Sequence, residues 1–439
     1  MLERSPSICP QISCEPNSQI SPIDIPESNI DTYTILPRSV GMAEPSDGVS
    51  EPDNGPKEQP PELRTQADLI IREFERLQDY DFDSPTDTLI DISIERLRSK
   101  KDLLIRLDSS LLPQLQHQCS SLSGLLRRPN HLKNNPASMF KQISQIQANL
   151  RLTFSQIVQT LNEVFPGKIP EPCQRNDQHF KELKIYRLHR FNDSLRGNIP
   201  NRLQLLFEDS ITFIDNFKLS TARRSDENEF AYLKIDEEIQ LTIRYLKGSE
   251  LSLIWELWKD LIKMSHYELE YLLDQMDPMR PLNQERKSLL SQPSIQLGRS
   301  ILPIFKLSRL FFKKLYRQNV NKEGTELFTE MCSNQLFFLH KSMDKIRDEI
   351  SDLLAYVLDA NRPAPGATSS AIIQALSELI KLFQSYLSSI NLYLLPNMFP
   401  NRTDLSRQTY LRDWFVTWTT SFFVASHNAI QAAESFADT

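Results

Sequence analysis

Residues 336–357 read LFFLHKSMDKIRDEISDLLAYV. Leu336, Leu339, Met343, Ile346, Ile350, Leu353 and Val357 recur at steps of 3, 4, 3, 4, 3 and 4. Such spacing puts the apolar groups on one stripe of a helix and the charges on its back, whereas a half-buried strand would alternate every second residue. An unbroken stripe of this length calls for neighbouring helices to cover it. Composition extends the reading to the whole chain. Among 439 residues there are 60 leucines, only 8 valines and only 10 glycines. Leucine loses little rotamer freedom in a helix, while strands favour β-branched residues and hairpins need turn glycines.

Outward from that segment the same period recurs. Leu63, Ala67, Ile70, Phe74 and Leu77 predict a helix from Glu62 to about Tyr80. Ser84-Pro85-Thr86-Asp87 has the form of a helix start, opening a helix that runs to about Leu126 with a bend at Pro113. Asn135-Pro136 opens a third, carrying Ile143, Leu150, Phe154, Ile157, Leu161 and Val164. Helices over 178–196 and 201–218 are separated by Gly197 and Pro200, and a polar stretch over 220–228 marks a domain boundary. Gly248 and Ser249 stop one helix (229–246) and cap the next (250–276). Helices over 294–319, with Pro303 inside, and 369–395 follow, and Thr403 caps the last. The expectation is an all-α fold of about eleven long helices in two antiparallel bundles, 62–219 and 228–439, after a disordered tail over 1–61.

That tail holds 11 of the 27 prolines and ten acidic residues against three basic ones, so it accounts for the whole net charge of −7. It has too little apolar content to offset the entropy of ordering. Ser5-Pro6 and Ser21-Pro22 fit proline-directed kinases, although such pairs are common in this composition. The first residues lack the cationic start and apolar run of a secretory signal. Five scattered cysteines, Cys9, Cys14, Cys119, Cys173 and Cys332, fit a reducing compartment better than a disulfide framework. No stretch reaches the roughly 18 uncharged apolar residues of a membrane span. Trp414 to Ala433 comes nearest and is interrupted by Thr417, Thr419, Thr420, Ser421, Ser426, His427 and Asn428. An intracellular protein, cytoplasmic or nuclear, is therefore expected, and the sequons at Asn192 and Asn401 carry little weight. Arg96-Leu97-Arg98-Ser99-Lys100-Lys101 is a weak import signal, equally readable as a solvated helix face.

Chemistry-bearing motifs fail on inspection. After residue 61 no two glycines lie closer than 26 positions, which excludes loops that cradle phosphate with closely spaced glycines. Asp79, Asp81 and Asp83 match the first ligands of a calcium loop, but Ser84 stands where a glycine is needed and Ile90 where the bidentate glutamate belongs. His266 and Glu268 have the spacing of zinc deaminases without the Cys-x-x-Cys. Cys332 and His340 lie ~12 Å apart along one helix. No catalytic residue, metal or cofactor is expected. The rival reading is an enzyme with an unrecognised polar site inside a bundle.

One feature points to binding. Between Ser294 and Lys322 there are seven cations and no acid. Lys306, Arg309, Lys313 and Arg317 step by 3, 4 and 4 and so share one stripe, beside apolar Ile301, Phe305, Phe312 and Leu315. The stripe is the candidate contact site for proteins with acidic surfaces. Pairing with acids of 323–359 or 226–238 is the internal alternative, and peripheral membrane attachment through 301–317 is another. Nucleic acid is not expected, because the body is neutral and modules that read bases are absent. Trp255 with Trp258, and Trp414 with Trp418, sit one turn apart and are read as core before interface. Oligomeric state leaves no signature.

LSLIWELWKDLIKMSHYEL (251–269), SILPIFKLSRLFFKKL (300–315) and RDWFVTWTTSFFVASHNAIQAAESF (412–436) resemble the family of long, uncharacterised helical proteins multiplied in rust fungi. More remotely they are similar to the Grap2- and cyclin-D-interacting helical-bundle family. The resemblance implies a non-catalytic all-α protein that binds regulatory partners, and it carries no functional residue to a position here.

Overall fold

In the computed structural model the seven apolar residues of 336–357 are all buried along one helix, Ser333–Leu358. The structure describes residues 60–127, 135–218, 227–277, 290–318, 328–361, 365–399 and 405–437. The cap expected at Thr403, and all but the last two residues of both the tail expected over 1–61 and the boundary expected over 220–228, lie outside them; Pro61 opens a helix, and 227–228 are helical.

Among the described residues there are eleven helices of nine residues or more: α1 (Pro61–Gln78), α2 (Leu112–Leu126), α3 (Pro136–Val164), α4 (Ile185–Asp193), α5 (Ile199–Lys218), α6 (Glu227–Lys247), α7 (Glu250–Met276), α8 (Gln292–Arg317), α9 (Ser333–Leu358), α10 (Pro365–Ser389) and α11 (Leu405–Ala437). No strand occurs among them, only one isolated parallel bridge between Leu89 and Lys168. The fold is all-α.

Two closed rings of helices account for the packing. In the first, α1 lies between α3 and α5, α2 between α3 and α6, and α5 meets α6. In the second, α7, α8, α11, α10 and α9 follow one another around the ring, and α9 returns to α7. Helix α4 joins the rings, packing on α6 of the first and α9 of the second. Residues 228–246, which the sequence reading assigns to the C-terminal bundle, thus pack as α6 on α2 and α5. The described residues form one compact unit with a continuous apolar core.

Prolines shape the first ring and the end of α10. π-Helical turns occupy Leu107–Leu111, Ser194–Asn198 and Ile390–Leu394. Each stands just before a proline: Pro113, Pro200 and Pro396. The residue preceding each proline donates its N–H to the carbonyl five back, Leu112 to Leu107, Ile199 to Ser194 and Leu395 to Ile390. A proline ring crowds the carbonyl four residues behind it and offers it no N–H. Widening the preceding turn gives the ring room without breaking the rod. At Pro113, where a bend is expected, the structure has such a widened turn. The same widening also corrects the expected break at Gly197 and Pro200, across which α4 runs into α5.

The start expected at Ser84-Pro85 is not one. Residues 84–93 run as a loop, with Lys168 N–H donating to Thr88 O and Ile90 N–H to Lys168 O, both at 3.0 Å. Helix begins only at Ile94. The loop lies against Gly167, where an added Cβ would come within 2.3 Å of Thr88 O. The side-chain cap at Asn135, in contrast, forms: its Oδ1 accepts from Ser138 N–H at 3.2 Å.

Candidate functional site

Helix α8 is flanked by α7 and α11 and turns Ile301, Ile304, Phe305, Phe311, Phe312 and Leu315 into the second ring. That inward stripe fixes what points outward. Lys306 and Arg317 are exposed, Arg309 and Lys313 are half-buried, and Leu310 is 47 % exposed between them. Lys306, Arg309 and Arg317 make no ion pair among the described residues. Arg309 Nε is buried without a hydrogen-bond partner. Lys314, off the predicted stripe, donates to Tyr410 Oη at 2.9 Å and lies over the Tyr410 ring.

A second polar constellation escaped the sequence reading and lies where the two rings meet. Arg187 and Lys184 bracket the start of α4, and both are fully buried. Arg187 Nε donates to Tyr245 O at 2.8 Å and Nη2 to Gly248 O at 2.9 Å, capping the carbonyl end of α6 with a cation. Glu250, also fully buried, opens α7, where the positive end of the helix favours an acid. Its Oε2 accepts from Lys184 Nζ at 3.0 Å, from Thr329 N–H at 2.9 Å and from Thr329 Oγ1 at 2.6 Å. Its Oε1 faces Arg187 Nη1 at 3.9 Å. Lys184 also donates to Thr329 O and Met331 O, at 2.8 and 2.7 Å.

Asp177 completes the junction. One of its oxygens accepts from Ile185 N–H and from Ser333 Oγ, the other from Ser333 N–H at 2.8 Å, so one carboxylate caps the first residues of both α4 and α9. Burial lowers the affinity of Arg187 for its proton, and the Glu250 carboxylate works the other way.

Beside the junction Tyr186 Oη lies 3.1 Å from His340 Nδ1, and His340 Nε2 lies 3.5 Å from Asp344 Oδ2. With the phenol donating to Nδ1, the Nε2 proton faces Asp344. Phenol, imidazole and carboxylate in series resemble an acid–base relay. Tyr186 is only 1 % and His340 4 % exposed, so solvent and substrate do not reach them. Burial raises the Tyr186 phenol well above its ordinary range.

Burial, aided by Arg190, Arg347 and Lys341, drives the His340 imidazole down to about 3 from an ordinary 6.5. The folded state therefore binds fewer protons than the unfolded chain between those values. The stabilisation from a neutral His340 is complete above about 6.5 and is lost as pH falls toward 3. Acidification from about pH 7 to 5 should cost about 2 kcal/mol of unfolding free energy through this group. Urea unfolding of the wild type and of His340→Gln at both pH values checks it. Equal acid losses in the two proteins would refute the assignment.

The other sequence motifs have structural fates. Phe82 is buried on Tyr80 and Phe154, and Arg196 donates to Phe82 O and Asp83 O at 2.8 Å, so the Asp79–Asp83 run is anchored by an arginine. Among the described residues no group of three or more His, Cys, Asp and Glu is placed to hold a metal. Glu268 bonds Ser351, and the half-buried His266 faces Glu270 instead. Arg96 is held by Asp91 O and Val164 O, and Lys101 by Glu182, rather than free in solvent. Trp258 is buried, donating to Tyr386 Oη, and Trp418 donates to Leu307 O. Trp255 and Trp414 are partly buried. Among the described residues no helix is long and apolar enough to cross a membrane.

Comparison with protein families divides the chain at this junction. Residues 100–246 match the family model described as a domain of unknown function (DUF8723). Residues 249–431 match a second domain of unknown function (DUF8721). The matches part on either side of Lys247-Gly248, where Arg187 caps α6 and Glu250 opens α7. No curated protein matches the chain.

Proposed function

We propose that this chain is a non-catalytic interaction protein that uses the outward face of α8 to hold partners with acidic surfaces. The observation that carries the reading is the set of cations, Lys306, Arg309 and Arg317, that make no ion pair with the acids of the described residues. Cations without internal partners raise the local potential and steer acidic partners, an effect weakened by salt. The buried junction supports the same reading, because its charged groups are occupied by helix ends and by one another. They are enclosed as structure and are not presented to a substrate.

The test is the triple reversal Lys306→Glu/Arg309→Glu/Arg317→Glu. Partners retained by the immobilised wild-type protein at low ionic strength should bind the variant about tenfold or more weakly. High salt should weaken the wild type in the same direction. Retention of the same partners by both proteins, at both ionic strengths, would remove the proposal. Circular dichroism of the variant establishes that its helices are intact.

A further inference from the structure

We propose that α8 and α11 together seat an acidic amphipathic helix, with carboxylates over α8 and an apolar stripe over α11. This inference rests on the interaction role argued above and adds a second surface and a partner chemistry to it.

The two helices run antiparallel. Lys314 of α8 meets Tyr410 of α11, and Leu307 O accepts from Trp418 Nε1. Continuing that register puts Lys306 level with Trp418 and Arg299 level with Ala425. From Trp414 to Ala433 α11 carries no Asp, Glu, Lys or Arg. The cations Arg299 and Lys306 thus run beside this charge-free segment, whereas the same register puts Arg317 level with Arg407, near Arg412 and Asp413 of α11. Arg299 to Arg317 spans about 27 Å, the length of a five-turn helix.

The outward face of α11 is suited to burial although it is rich in hydroxyls. Val416 is 68 % and Val424 57 % exposed. Between them Thr417, Thr420 and Ser421 donate back to the carbonyls of Asp413, Val416 and Thr417. Each hydroxyl proton is therefore already satisfied, and a covering helix would orphan none of these donors. Small and β-branched side chains at this spacing let another helix approach closely. Leu310, exposed between the cations of α8, continues the apolar contact.

Charge complementarity selects an acidic occupant. A bilayer is disfavoured, because the outer face of α11 presents mainly short hydroxyl side chains, and of its exposed aromatics Phe423 is only 37 % exposed while Tyr410, 56 % exposed, is held by Lys314. Little apolar surface would enter lipid.

The probe is a synthetic five-turn helical peptide with leucines at three- and four-residue spacing and glutamates along one flank, compared with the same peptide carrying glutamine. Binding to the full chain is read by fluorescence anisotropy. The glutamate peptide should bind about tenfold more tightly, and Lys306→Glu and Thr420→Arg should each weaken it by about tenfold, whereas Thr420→Val should not. Both substituted positions are exposed, so folding is not at stake. If Lys306→Glu weakens binding and Thr420→Arg does not, the seat on α11 is overturned and the acidic contact on α8 stands. If neither peptide binds, or neither variant matters, this inference falls, and the reversal test above decides the wider role. Tighter binding of phosphatidylserine vesicles, abolished by the same substitutions, would overturn it in favour of a lipid surface.

Discussion

Glu250→Gln is expected to lower the unfolding free energy by about 3–5 kcal/mol, the range for removing one partner of a buried ion pair. Glutamine keeps the shape of the side chain and one acceptor oxygen, so the loss isolates the charge. Lys184 and Arg187, both fully buried, would then face each other without the carboxylate between them. Carbonyls of Thr329, Met331, Tyr245 and Gly248 would remain. They stabilise a cation as dipoles and do not replace a formal charge. Guanidinium unfolding monitored by far-ultraviolet circular dichroism gives the number. Lys184→Met should also destabilise, and the double variant should lose less than the sum of the two singles, because the second substitution removes the charge that the first one orphaned. Additive losses would show that Lys184 and Glu250 act independently and would contradict the junction described here.

How much of this was legible in the sequence follows from what each feature depends on. The rods were legible, because inward positions such as Leu336 to Val357 repeat with the pitch of the helix they occupy. Gly248-Ser249 was read correctly as stop and cap, since capping is local chemistry: Ser249 Oγ accepts from Ser252 N–H at 3.0 Å. Ser84-Pro85 has the same local form and misled, because the competing hydrogen bonds come from Lys168, some eighty positions away. The π turns before Pro113, Pro200 and Pro396 keep the rods continuous, and apolar periodicity does not distinguish that outcome from a break. The basic stripe was visible as spacing and charge. What it meets depended on the ring order, which places α8 between α7 and α11. The junction was hidden altogether. Asp177, Lys184, Glu250 and Ser333 are ordinary polar residues at helix starts, and their pairing spans up to 156 positions. The one available hint was that Lys184 and Arg187 interrupt a run of inward apolar residues, Leu183, Ile185, Leu188 and Phe191.

Phe311→Ala should be comparably damaging, about 3–5 kcal/mol, for an unrelated reason. Phe311 is fully buried and its ring centroid lies 4.6 Å from Trp418, 5.4 Å from Phe383, 5.8 Å from Phe415 and 5.1 Å from Phe312. These neighbours belong to α8, α10 and α11, so one ring ties three helices of the second bundle. Deleting it leaves a cavity that the surrounding large, stiff aromatics fill poorly, and edge-to-face contacts are lost as well. Phe311→Leu fills most of that space and should cost clearly less. The same side chain orients α8: with Phe311 anchored against Trp418, the adjacent Leu310 and the cations at 306 and 317 point to solvent. Loosening the anchor should therefore weaken acidic-peptide binding even though no contact residue is altered. Denaturant unfolding and the anisotropy titration on Phe311→Ala and Phe311→Leu measure the two effects side by side. Affinity that stays at the wild-type level in a Phe311→Ala protein destabilised by the expected amount would mean that the direction of the stripe is set elsewhere, by Ile301, Ile304 and Phe305 about two to three turns back along the helix.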